Sequence, residues 1–92
     1  MKAKVWDYSI KGFKEVDAIG ILKYEGESFF AFIDGKDYIV LGIENGLLRV
    51  IDESEEDYLY EIDNPRPMDG SSKGGKWKII KDEYGKLKNI LT

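Results

Sequence analysis

Ninety-two residues, 42% of them apolar and 13% aromatic, suffice for one modest core, since a chain of this size buries only about 60–65% of the surface its unfolded form exposes. The sequence contains neither cysteine nor histidine, which excludes disulfides, thiolate metal sites, cysteine nucleophiles and the imidazole proton shuttle. The net charge of −4 is unevenly spread: residues 1–14 carry four cations and one carboxylate, 15–63 carry three cations and fourteen carboxylates, and 64–92 carry seven cations and three carboxylates.

The amino-terminal residues include Lys2 and Lys4, but polar side chains interrupt any apolar run long enough for a signal-peptide core. No stretch approaches the roughly 20 apolar residues of a membrane helix. The expectation is a single small globular domain over residues 1–92, cytoplasmic, with no membrane partner. A cysteine-free chain fits a reducing compartment.

In chain order, Lys4–Ile10 reads as a first strand. Helical spacing is present over Gly12–Ile21, but Gly12, Gly20 and the β-branched Val16 and Ile19 weaken it. Ala18–Tyr24 reads as a strand, joined through Glu25-Gly26-Glu27 to the apolar run Ser28–Ile33. Asp34-Gly35 separates that run from Lys36–Ile43, and Asn45-Gly46 separates the latter from Leu47–Asp52. Both dipeptides supply the positive φ angles of two-residue hairpin turns, so two consecutive hairpins are expected.

Asp57–Ile62 alternates Tyr58, Tyr60 and Ile62 against Leu59 and Glu61, the pattern of a strand with one wetter face. Asn64–Gly75 contains two prolines and three glycines and reads as a long loop, functional or merely connecting. Lys76–Lys81 and Lys86–Leu91 flank Asp82-Glu83-Tyr84-Gly85 as a last hairpin. The fold expected is all-β, an antiparallel meander of about seven short strands curled into a small barrel or two-layer sandwich. The alternative is α+β, one sheet with a short helix near residues 12–20. Phe29, Phe30, Phe32, Trp6 and Trp77 are assigned to the core, and Tyr58, Tyr60 and Tyr84 to wetter faces.

Three features invite a functional reading. Gly70 to Lys76 has the G-x-x-x-x-G-K spacing of a phosphate-cradling loop, but Trp77 stands where a magnesium-holding Ser or Thr belongs and the next segment reads as a strand. The run Asp52–Asp57 is dense in carboxylates, yet it lacks the glycine and the terminal bidentate Glu of a calcium loop. It reads either as a solvated turn or as an acidic knob for a basic partner, with Glu53, Glu55, Glu56 and Asp57 as contacts and Tyr58 or Tyr60 as aromatic anchor. Lys76, Lys78, Lys86 and Lys88 would share one face of the last hairpin, as a guard against edge-to-edge aggregation or as an anion-binding patch.

No metal site and no cofactor is expected, and no enzyme activity, because a carboxylate pair or a basic Lys or Tyr would need a sizeable cleft. The function expected is that of a small non-enzymatic interaction protein, of the immunity, inhibitor or adaptor kind, which binds a protein partner, basic or a second copy, through its acidic centre. The alternatives are a β-barrel that binds nucleic acid or a small ligand on the lysine face, and a structural homo-oligomer subunit. The acidic balance makes nucleic acid the weaker choice.

Overall fold

A computed structural model of the protein describes residues 1–91. All secondary structure among them is β: β1 (Lys2–Asp7), β2 (Gly12–Asp17), β3 (Gly20–Gly26), β4 (Asp37–Glu44), β5 (Leu47–Ile51), β6 (Asp57–Tyr60) and β7 (Gly75–Asp82). β1 and β2 form a two-stranded antiparallel ribbon. The other five form one antiparallel sheet in the order β6-β5-β4-β3-β7, a four-stranded meander whose first strand is joined on its free side by the last.

The sheet curls because one face must surround a small core. Tyr24 on β3 stands opposite Trp77 on β7, Leu22 opposite Tyr38 on β4, and Val40 opposite Val50 on β5, all buried. Register breaks at Ile21/Leu22 and at Val40/Gly42 add the local twist that such curvature needs. The curl brings the outer strands near one another, and the Trp77 indole N–H donates to the Glu61 carbonyl at 3.1 Å just beyond β6. β6 and β7 are nevertheless not paired, so the sheet stays open.

The Asn45-Gly46 hairpin forms as expected, both residues at positive φ (52° and 76°) between β4 and β5. The Asp34-Gly35 hairpin does not form, and the reason lies in the segment before it. Ser28–Ile33 is not a strand: β3 pairs directly with β4, and residues 27–36 arch over the mouth of the curled sheet. The reason is Phe32, which enters the core fully buried with its ring centroid 4.5 Å from Tyr60, 4.8 Å from Tyr38 and 4.9 Å from Trp77. Ladder pairing would hold that side chain on a strand; as a loop, the segment lowers it into the opening. The loop's polar groups are met locally, with Ile33 N–H donating to the Tyr38 hydroxyl at 2.7 Å and Asp34 N–H to Ser28 Oγ at 2.8 Å.

The last hairpin is also absent, since residues 86–90 form turns. The Asp82 carboxylate accepts the backbone N–H groups of Leu87 and Lys88 at 3.1 and 2.9 Å, which folds the chain back and buries Leu87 completely. The helical alternative fails because residues 12–17 pair with β1, with Trp6 opposite Phe13. The ribbon is tied to the rest of the molecule by Glu83, which pairs with the N-terminal ammonium at 3.6 Å, and by Trp6 N–H, which donates to the Glu55 carbonyl at 2.8 Å. No helix among the described residues is long and apolar enough to cross a membrane.

Candidate docking surface around the outer edge of β6

The acidic turn between β5 and β6 is built from its own hydrogen bonds. Glu55 N–H donates to the Asp52 carbonyl at 3.0 Å and Asp52 N–H to the Glu56 carbonyl at 3.1 Å. With Glu55 at φ 71°, this is a type I turn followed by a left-handed residue, the usual three-residue hairpin connection. Glycine is the residue suited to that position, and a side chain there costs on the order of 1 kcal/mol. Glu55→Gly is therefore expected to stabilise the fold by up to about 1 kcal/mol, read as a raised urea midpoint with an unchanged slope; a lowered midpoint would contradict the turn geometry.

The seven carboxylates between Asp52 and Asp63, a stretch with no cation, fall into two groups. Four are engaged within the fold. Asp52 is buried and accepts bonds from Ser54 N–H, Ser54 Oγ and the Tyr60 hydroxyl. Glu53 accepts the Tyr38 hydroxyl at 2.6 Å and pairs with Lys36 at 2.7 Å, and Lys36 first, then Tyr38, holds its carboxyl below the usual range. Asp57 pairs with Arg49 at 2.9 Å, and Glu61 reaches Arg66 at 3.6 Å. Among the described residues Glu55, Glu56 and Asp63 have no ion-pair partner.

The tyrosines divide in the same way. Tyr60 packs its ring on Phe32 and commits its hydroxyl to Asp52; burial first, then that hydrogen bond, pushes the phenol well above its ordinary pKa. Tyr38 is raised by burial and by Glu53. For both, the folded-state pKa lies above the unfolded value of about 10, so their stabilising contribution is complete below that pH and is lost as the pH climbs toward the folded-state values. In an alkaline titration followed by ultraviolet absorbance, Tyr38 and Tyr60 should give no ionisation step until the fold is lost. Their ionisation in the still-folded protein would contradict the network. Tyr58, by contrast, is 48% exposed beside Glu56.

Around the outer edge of β6 the structure gathers apolar side chains from three separate segments: Tyr58 and Leu59 from the strand, Phe30 from the loop after β3, and Met68 from the proline-rich loop after β6. Phe30 is 75% exposed and Met68 fully so. Two adjoining cavities of about 480 and 390 Å³ flank the edge and share Phe30, Leu59 and Tyr60 as walls. Beyond the acidic turn, a third cavity lies between Glu55, Glu56 and the ribbon's aromatics Trp6, Tyr8 and Phe13.

Of the six residues expected from the sequence as an acidic site, Glu55, Glu56 and Tyr58 thus stand available at one edge, while Glu53, Asp57 and Tyr60 are held by intramolecular partners. Phe30, Leu59 and Met68 are additions; Phe30 does not belong to the core, because the arching loop turns it outward while Ala31 and Phe32 are buried and Phe29 packs against them. The four lysines are not brought onto one hairpin face. Lys76 and Lys78 are exposed on β7, opposite Glu25 and Lys23, whereas Lys86 and Lys88 lie in the turns past its far end. The strand rise puts about 20 Å between Lys76 and the end of β7. Lys86 instead places its ammonium 5.7 Å from the centre of the exposed Tyr84 ring.

The glycine-rich run leads into β7 at Gly75, with no helix behind it, and Ser72 Oγ is buried, donating to the Glu27 carbonyl at 3.1 Å and accepting Gly74 N–H at 3.0 Å. Among the described residues no cluster of three or more carboxylates is arranged to hold a metal ion. No known family, curated protein or solved structure matches the chain.

Proposed function

We propose that the protein is a non-catalytic binding domain that engages a protein partner across the β5–β6 turn and the outer edge of β6. One observation carries the reading: segments far apart in sequence place Phe30, Tyr58, Leu59 and Met68, all solvent-exposed, around one strand edge beside two unpaired carboxylates. Contiguous exposed apolar surface rimmed by charge is the usual form of an interaction site. Tyr58 suits the role of anchor, because its ring is rigid and half-exposed and its hydroxyl lies at the rim. The setting that fits a cysteine-free chain is the reducing cytoplasm.

The test uses the native protein and a Glu55→Lys/Glu56→Lys/Tyr58→Ala variant as parallel baits. Glu53 is left intact because it holds Lys36 and Tyr38. A stoichiometric partner retained by the native bait and lost by the variant is expected, with binding weakened by salt. Equal retention by both would remove this surface from the reading.

A further inference from the structure

We infer that β6 is an acceptor edge to which the partner adds an extended, cationic segment as a further strand of the sheet. This rests on the docking surface proposed above and specifies what occupies it. The Asp52–Glu56 hydrogen bond sets the phase of the β5–β6 ladder. Residues 58 and 60 then turn their backbone groups toward β5, and the N–H and C=O of Asp57 and Leu59 point outward. Among the described residues β6 has no partner on that side, and no backbone bond from outside the β5–β6 hairpin reaches residues 57–60. Outward-pointing groups of this kind are the template for strand addition.

The surroundings select the occupant. An incoming strand would alternate its side chains between the two cavities beside the edge, one bounded by Phe30 and Tyr58 and the other reaching Met68, so adjacent central residues should be apolar. Past those positions the strand meets Glu55 and Glu56 at one end, which calls for Lys or Arg on that flank, and the mutually paired Glu61 and Arg66 at the other. The same charges argue against a second copy of this chain. Antiparallel self-pairing of β6 would set Glu55 and Glu56 of one molecule beside Glu61 and Asp63 of the other, and like charges across a strand pair are unfavourable.

The experiment selects random dodecapeptides displayed on phage against the whole protein, and maps the enriched peptides by amide hydrogen exchange and NMR. Enrichment of an apolar pair with Lys or Arg on the flank that meets Glu55 and Glu56 is expected. The Leu59 amide should slow at least about tenfold in the complex, and N-methylation of the peptide's pairing amide should weaken binding about tenfold. Because that change is made in the peptide, it leaves the protein's folding untouched. Peptides that bind this surface with Leu59 still exchanging freely and N-methylation tolerated would overturn strand addition while leaving the docking surface standing. Recovery of no peptides, or of binders that map elsewhere on the molecule, would overturn both.

Discussion

Phe32→Ala should destabilise the protein by about 3–5 kcal/mol, the range for removing a fully buried aromatic ring from a core that cannot collapse around the gap. Five other rings surround Phe32: Tyr24, Phe29, Tyr38, Tyr60 and Trp77, with centroids 4.5 to 5.6 Å away. Several of those neighbours are pinned by hydrogen bonds, Tyr60 to Asp52, Tyr38 to Glu53 and Trp77 to the Glu61 carbonyl, so they cannot swing inward to fill the space. A 92-residue chain has a total stability of roughly 5–14 kcal/mol, and the variant would therefore lose a large share of it and at the low end would not fold. Urea unfolding measures the change. Phe30→Ala, two residues away on the exposed side of the same loop, should shift stability by about 0.5 kcal/mol or less. A small effect at Phe32, or equal effects at the two positions, would mean that the arching loop is not held by its buried phenylalanine.

That pair of residues also marks where sequence reading reaches its limit. The turn dipeptide Asn45-Gly46 was legible because its chemistry is local: positive φ angles are needed, and these residues supply them. The alternation at Tyr58 to Tyr60 identified β6 for the same reason. Ser28–Ile33 has the composition of a buried strand, yet whether an apolar run is laddered or lowered into a core depends on an opening that exists only once β3, β4, β5 and β7 have curled. Intrinsic β-preference of such a run is overridden by tertiary packing. The same holds at Lys86–Leu91, where the alternation is real but Asp82 captures two amides and turns the chain.

The candidate site was half legible in the same sense. A run of carboxylates announces an acidic turn, but nothing in Asp52–Asp57 says which members face inward. Asp52 and Glu53 are taken by Tyr60 and Tyr38, partners 8 and 15 residues distant, and Asp57 by Arg49 across the strand pair. The apolar half depends on three segments meeting at one edge. Met68 beside Asp69 in a long loop rich in Pro and Gly gave the one usable hint, because such loops run over the surface, although Pro65 and Pro67 of the same loop are buried.

Gly75→Ala is the second change expected to be severe, and its cause is contact rather than backbone conformation. A Cβ at Gly75 would lie 2.4 Å from the Glu25 carbonyl oxygen and 2.9 Å from the Gly26 Cα, both backbone atoms of the facing strand β3. Side chains can rotate away from a crowded atom; a paired backbone can yield only by parting from its neighbour. That parting would strain the β3–β7 ladder at the start of the strand that carries Trp77 into the core. A cost at or above the usual 1–3 kcal/mol for overpacking follows, with faster amide exchange along β7 as its local signature. Gly42→Ala is the matched control, since a Cβ there meets nothing within 4 Å and alanine reduces the freedom of the unfolded chain; it should be neutral or stabilising by up to about 1 kcal/mol. If both substitutions behave alike, the close approach of β3 and β7 is not what fixes glycine at position 75, and the curl of the sheet must then be set by its two register breaks alone.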